Sequence, residues 1–440
     1  MDSAETLQVL GAIAAVAVAV RYALRQRVPA ARFGDAYVTI MEHEANSFHV
    51  MALPPTRTIT IFPHLDVPAL AARTAAIVAA NPWLLGRMVS AADKTVELQY
   101  ATSPTNVEAA FAEVTCPLPA DASTNDVMDW LTTSIAPTMI GRLCLDDPSA
   151  RLFQVVAVHL ANGSTGVAVA LCHSIGDGDT FYTLYKMLDV HEKVQSLTPT
   201  RAFYNGTPVF RHWAPFTTRS AFMGLRVLIN ALLYGYRKAL GMPPHVACYR
   251  VNVEAVAAAK AAHTPTPSAP FLSTNDILTS AFFAMTQTSL GLMSLNLRDR
   301  LGLSSKDAGN YIIAFTYTAS EYASPASIRA SNVDKRAPQR KTASTAEPVP
   351  SALAGLFGGK LSVITNWCSF YHHLVLEDGV HPLSHAPLVT QGLLPFDATA
   401  VLYNHSPTDV RLVVTRNAST PLLPSALLEP LGALMVAPSA

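Results

Sequence analysis

The sequence predicts a mixed α/β fold, of the α+β kind, in two similarly sized halves. Three observations predict it. The chain has 440 residues, too many for one core, and half of them are hydrophobic against 14% charged, the composition of a well-buried globular chain. Segments with the two-residue period of strands and the 3.6-residue period of helices alternate in each half. Between them, residues 190–245 lose both periods and mix prolines, aromatics and basic residues. The expected organisation is an apolar N-terminal segment (1–28), an N-terminal subdomain (29–195), a crossover (196–245) and a C-terminal subdomain (246–440).

The N-terminal run "VLGAIAAVAVAV" (9–20) is uncharged and is followed by Arg21, Arg25 and Arg27. Twelve helical residues span about 18 Å, short of a bilayer's hydrocarbon core of roughly 30 Å. Extension over residues 6–24 lengthens the span, with Gln8 inside and Arg21 able to snorkel. Asp2 and Glu5 ahead of the run and arginines behind it are in the wrong order for a cleaved signal peptide. The reading is a cytoplasmic body with a candidate membrane anchor at residues 6–24, the alternative being a soluble helix or an apolar tail.

Strand signals follow at "AYVTIM" and "TRTITIF". Next comes an alanine-rich amphipathic helix, "VPALAARTAAIVAA", which stops at Asn81-Pro82, and then a strand at "TVELQY" (95–100). "LFQVVAVHL" (152–160) and "GVAVALCH" (166–173) flank "ANGST", a hairpin signature. After Gly178, residues Phe181, Leu184, Tyr185 and Leu188 share a helical face. The second half restarts with the strand "HVACYRVN" (245–252) and a short alanine-rich helix. "STNDILTSAFFAMTQTSL" then reads as a helix capped by Ser273, Thr274 or Asn275. "SLNLRDRL", "YIIAFTYTA", "KLSVITNWCSFYHHLVL", "ATAVLYNHS" and "DVRLVVTRN" read as β. Residues 326–352 read as a charged helix breaking into a loop, and the C-terminus as a leucine-rich helix.

Composition excludes some classes of function. The 31 basic and 31 acidic residues cancel, and no basic stripe interleaves with aromatics, so nucleic acid is not an expected partner. Cys116, Cys144, Cys172, Cys248 and Cys368 are odd in number and scattered without a CxxC pair, which implies reduced thiols rather than disulfides or zinc. His372 and His373, adjacent on an expected strand, would point to opposite faces, so no metal site is expected there. His49 and His64 read as structural or surface residues.

The chemistry concentrates in "VAVALCHSIGDGDTFYTLYKML" (167–188). His173 stands at a strand exit, where an imidazole titrating near neutral pH can serve as general base. Asp177 follows four residues on, and Gly176 and Gly178 permit a tight turn.

This HxxxDG at the exit of a central strand, in a chain of two halves, resembles the chloramphenicol-acetyltransferase-like superfamily, which includes condensation domains, BAHD acyltransferases and wax ester synthase/diacylglycerol acyltransferases. "GDAYVTIMEHEANSFHV" (34–50) is similar to the wax ester synthase opening and "NPWLLGRM" (81–88) to a helix end common in the family. "STNDIL" (273–278) followed by "NLRDRL" and "AGN" (296–310) resembles the second half's helix and Asn-x-Arg-x-Arg segment. The resemblance spans residues from about 34 to 420. It implies two acyltransferase subdomains, each a mixed sheet with flanking helices, with a tunnel between them.

It further implies an ester-forming, acyl-CoA-dependent acyltransferase with no bound cofactor. His173 would deprotonate a hydroxyl or amine acceptor in a ternary complex. Asp177 would not form a dyad with His173 but would brace the turn by pairing with Arg298, or failing that Arg300. Gly178 would shape the turn, and Ser369 in "TNWCSF" would donate to the oxyanion, with Thr365 and Asn366 as alternatives. The family implies a monomer.

The sequence also departs from its relatives. The first of the family's paired histidines is Cys172, which speaks against a standard condensation domain, and "LEDGVHP" (376–382) replaces the BAHD Asp-Phe-Gly-Trp-Gly. The expected acceptor is a hydroxyl of a lipid or long-chain alcohol. The competing readings are an O- or N-acyltransferase with a soluble acceptor, and a non-catalytic relative that binds acyl chains or a carrier protein.

Overall fold

The hairpin read from the alternating segments forms as expected. β6 (Phe153–His159) and β7 (Thr165–Leu171) pair antiparallel, and Gly163 in their turn has φ +84°. Every residue of β7 is buried, which explains why it reads Val-Ala-Val-Ala-Leu rather than alternating with polar residues. This is a computed structural model of the chain, and it describes residues 33–40, 51, 53–91, 95–136, 139–202, 219–242, 244–332, 358–389, 396–417 and 422–431. The candidate anchor at 6–24, His49 and most of the wax-ester-synthase-like opening lie outside the described residues.

β7 lies at the centre of a five-stranded sheet. β2 (Thr56–Phe62) runs antiparallel on one side of it, and beyond β6 lies β5 (Phe111–Thr115), parallel to β6. The fifth strand, β12 (Ser384–Pro387), comes from far down the chain and places His385 opposite Thr60 of β2. A second sheet of three short strands joins β1 (Ala36–Thr39), β4 (Val96–Tyr100) and β3 (Arg87–Ser90).

The third sheet has seven strands. Its order is β10 (Ile312–Tyr317), β9 (Leu290–Asn296), β11 (Leu361–Asn366), β13 (Ala398–Asn404), β14 (Val410–Arg416), β8 (His245–Val251) and β15 (Leu428–Leu431). β11 is parallel to both neighbours and the other pairings are antiparallel. Ile59, Ile61, Val156, Val158 and Ala168 of the five-stranded sheet share one apolar cluster with Cys248, Val401, Tyr403 and Val413 of the seven-stranded sheet. The two halves are therefore joined by core packing as well as by the exchanged strand.

Helix starts follow their capping residues. Helix α1 (Val67–Ala80) is capped by Asp66, which accepts from Ala69 N at 3.0 Å, and it carries proline in its first turn. Helix α2 (Thr124–Ser134) is capped by Ser123. Helix α3 (Gly178–Lys186) starts at Asp177. Helix α4 (Arg219–Ala239) occupies the stretch expected to be an irregular crossover. Helix α5 (Val253–Ala261) follows β8. For helix α6 (Thr274–Thr286) the cap is Ser273, closed into a capping box by Asp276.

Three expectations are corrected. "SLNLRDRL" is not one strand, because β9 ends at Asn296 and Arg298–Leu301 form a helical turn closed by Gly302 at φ +70°. "KLSVITNWCSFYHHLVL" is strand only to Asn366, after which Cys368–Phe370 make a 3₁₀ turn. The expected C-terminal helix gives way, within the described residues, to β15, which completes an edge beside β8. The charged helix expected from 326 is helix α7 (Pro325–Asn332); the stretch 333–357 lies outside the described residues.

Candidate active site

The backbone leaves β7 at Leu171, and His173 stands half-buried two residues on. Four residues after it, Asp177 is fully buried and caps α3 by accepting from Thr180 N at 3.1 Å. Its carboxylate meets the Arg298 guanidinium in two parallel contacts, Nη1 to Oδ2 at 2.8 Å and Nη2 to Oδ1 at 3.1 Å, and accepts from Tyr311 N at 3.0 Å. This bidentate geometry suits arginine and not lysine. Asp177 is thus occupied by Arg298, as the sequence reading anticipated. Arg300 turns elsewhere, to Asn332 Oδ1 at 2.5 Å.

Arg298 extends the clamp. It donates to the carbonyls of Asp307 and Gly309 and to Thr180 Oγ1, and its guanidinium lies 4.9 Å from the Tyr311 ring centre. Burial works against its charge, but the Asp177 carboxylate outweighs this and holds its pKa above the ordinary arginine value.

Other contacts fix the 173–177 turn from the second half. Asn310 Nδ2 donates to the His173 carbonyl at 2.8 Å, and Gly309 O accepts from Asp177 N at 3.2 Å. Gly309 has φ +144°, and a Cβ there would fall 2.8 Å from Arg201 Nε. Arg201 in turn reaches the carbonyls of Ile175 and Ala308. On the other side, a Cβ on Gly141 would fall 1.8 Å from Ser174 Oγ, so the Gly141–Cys144 helical turn packs directly on the residue after His173. Cys172, where the resemblance leads one to expect a histidine, is fully buried, and its thiol hydrogen-bonds that of Cys144. Around the turn the sequence had marked Gly176 and Gly178; Gly141, Arg201, Gly309 and Asn310 are distant in sequence, and of these Gly309 and Asn310 stood in the quoted "AGN" without an assigned role.

A cavity of about 260 Å³ runs along the outer face of α3, lined by Asp179, Tyr182, Lys186, Ser305 and Phe370 among others. Asp179 is 8% exposed; burial raises its pKa, with Arg298 opposing the shift. Asn296 Nδ2 donates to Asp179 at 2.8 Å. Gly178 opens toward the same aromatic wall: a Cβ there would lie 3.6 Å from Phe370 Cε2 and 3.8 Å from Trp367 Nε1, ordinary contacts. Ser369, on the 3₁₀ turn Cys368–Phe370, is exposed. Asn366 is engaged with Asn275 and with Cys368 N.

His372 and His373 lie beyond the strand on which they were expected, and they go to separate partners, Asp189 at 2.7 Å and His381 at 3.4 Å. Sequence reasoning missed His385. This buried ring on the exchanged strand β12 meets Thr60 Oγ1 at 2.9 Å and Tyr182 OH at 3.1 Å, and burial pushes its pKa down to about 3. No local pattern marks it, because its partners lie more than 200 residues away.

No protein-family model matches the chain, and no curated protein matches it by sequence. Solved structures do match. TRI101 of F. graminearum, complexed with coenzyme A and T-2 mycotoxin, superposes with a TM-score of 0.57 at 14% identity, over 87% of this chain and 95% of that one. Polyketide synthase associated protein 5 from Mycobacterium tuberculosis gives 0.53 at 15% identity over 88% and 95%. The first condensation domain of the calcium-dependent antibiotic synthetase, in complex with a substrate analogue, gives 0.54 at 12% over 87% and 91%. The chain shares the fold of these structures, the chloramphenicol-acetyltransferase-like fold of two subdomains of mixed α/β structure, across most of its length.

Proposed function

We propose that the chain is an acyl-CoA-dependent acyltransferase and that His173 is its general base. The observation that carries this reading is the turn itself: a histidine at the exit of a buried central strand, held by a fully buried Asp177–Arg298 pair that spans the two halves. A carboxylate committed to Arg298 braces the turn rather than polarising the imidazole. His173 would accept the proton of an acceptor hydroxyl as that oxygen attacks the thioester carbonyl. The tetrahedral adduct would then collapse, the C–S bond would break, and the imidazolium would return the proton to the CoA thiolate. Support comes from the fold shared with TRI101, whose solved structure holds coenzyme A and T-2 mycotoxin.

The adduct's oxyanion needs a donor in a site that excludes water. Ser369 is exposed, and the Trp367 indole N–H stands beside Gly178, so we assign the donation to Trp367 with Ser369 as the alternative. The acceptor we propose is a lipid or long-chain alcohol, following the N-terminal resemblance, and the working subdomains are 29–195 and 246–440 with 196–245 between them.

The test is thiol release from a panel of acyl-CoAs with long-chain and soluble alcohols and amines, for wild type and His173→Ala. Acceptor-dependent release that falls by two or more orders of magnitude in the variant is the expected result. Release confined to soluble acceptors would move the assignment to a small-molecule O- or N-acyltransferase. Equal, negligible release from both proteins would point to a non-catalytic relative.

A further inference from the structure

The chain's neutrality conceals a strong local asymmetry. Residues 193–253 contain no aspartate or glutamate, while they hold Lys193, Arg201, Arg211, Arg219, Arg226, Arg237, Lys238 and Arg250. The rest of the chain therefore carries 23 basic against 31 acidic residues, and the overall balance is a cancellation of two opposite excesses. At the average acid content of the chain, a stretch of that length would hold about four carboxylates.

Helix α4 lies in the middle of this stretch and divides into two parts. Its first half is anchored. Phe222 and Val227 pack with Leu290, Leu292, Leu361 and Phe396, and Arg226 and Asn230 grip the Asp397 carboxylate, which also accepts from Leu361 N at 2.7 Å. Its second half has no such floor. Leu233, Tyr236 and Leu240 are exposed, as are Leu228 before them and Met242 just past the helix end, at 36–56% of their area. These are five of the twelve large apolar side chains exposed among the described residues, gathered in fifteen positions. Gly241, at φ +67°, ends the helix and lets Met242 N return to Arg237 O at 2.9 Å, which keeps the apolar tip in one piece.

We propose that the second half of α4 and its C-terminal turn form a peripheral docking surface for an anionic lipid bilayer. Large apolar side chains beside Arg237 and Lys238, with no acid for 61 residues, are what an interfacial helix needs: apolar insertion to headgroup depth together with attraction to negative lipids. The anchored half fixes the angle at which the tip is presented. Among the described residues no helix is long and apolar enough to cross a membrane, so the contact is one of lying on the surface. A second copy of the chain suits the patch less well, since two such surfaces would bring like charges together. This inference stands apart from the proposed catalysis.

The test uses the full chain with vesicles of phosphatidylcholine alone or mixed with phosphatidylserine. Co-sedimentation is measured at 0.1 M and 0.5 M salt, and hydrogen exchange is followed along the chain. Binding to the anionic vesicles only, weakened by salt, with exchange slowed across residues 228–242, is the expected outcome. The variant Leu233→Asp/Tyr236→Asp/Leu240→Asp should lower partitioning by about tenfold or more, and Arg237→Glu/Lys238→Glu should remove its salt sensitivity. The first variant alters exposed positions only, and for both a thermal melt matching wild type shows that the variant has folded. Absence of vesicle binding, or binding with unchanged exchange at 228–242, overturns the proposal. So does a lipid-free dimer that protects the same residues.

Discussion

Replacing Arg298 by methionine tests whether the buried pair is the brace of the turn that carries His173. Asp177 is fully buried and has four donors: two guanidinium nitrogens at 2.8 and 3.1 Å and the backbone N–H groups of Thr180 and Tyr311. Arg298→Met removes the cation and leaves a carboxylate in an apolar setting with only two neutral donors. Breaking one side of such a pair costs about 3–5 kcal/mol. The variant also removes the guanidinium's hydrogen bonds to the carbonyls of Asp307 and Gly309, which sit on the loop behind the turn. Asp177→Asn/Arg298→Met leaves no orphaned charge, so it should be more stable than Arg298→Met alone, by about 2 kcal/mol. Urea unfolding of wild type, both single variants and the double variant closes the cycle. Thiol release adds a readout that packing alone would not move: Asp177→Asn should lower kcat but leave the apparent pKa of the base in the pH profile unchanged. A cost for Arg298→Met below about 1 kcal/mol, or strictly additive effects, would refute the brace. A shifted pH profile would instead place Asp177 in contact with the imidazole.

The buried histidines predict acid sensitivity. His385 and His405 have folded pKa values pushed down to about 3 and about 4 by burial, whereas the unfolded chain takes up these protons near 6.5. Between those limits the unfolded state binds more protons, so stability is full above pH 6.5 and falls as pH drops, by about 2 kcal/mol per histidine at pH 5. Unfolding free energies that do not change from pH 7 to pH 5 would refute it. Gly309→Ala should destabilise the protein and slow thiol release, because φ +144° is closed to alanine and the new methyl meets Arg201. Full activity in that variant would show the loop is not needed to hold the turn. Trp367→Phe should lower kcat more than tenfold while Ser369→Ala changes it less than twofold, and the reverse order would transfer the oxyanion role to Ser369.

The sequence by itself determined the local elements and the turn that carries His173. Apolar runs on either side of "ANGST" marked β6 and β7, the cluster Ser273, Thr274 and Asn275 marked a helix start, and the spacing from His173 to Asp177 singled out the turn, because each is set by neighbours within a few residues. Sequence patterning failed where a chain reversal or a distant partner decides. Arg298 reaches Asp177 only because β9 ends early in a helical turn, and "KLSVITNWCSFYHHLVL" loses its strand where Trp367 and Phe370 turn to face Gly178. β12 joins a sheet whose other strands lie more than 200 residues earlier, and so no window of sequence could have paired His385 with Thr60. Tertiary structure decided these points for one physical reason. The burial that fixes a charge, a glycine or a histidine in its place is supplied by residues of the other half, and that complementarity exists only after both halves have packed.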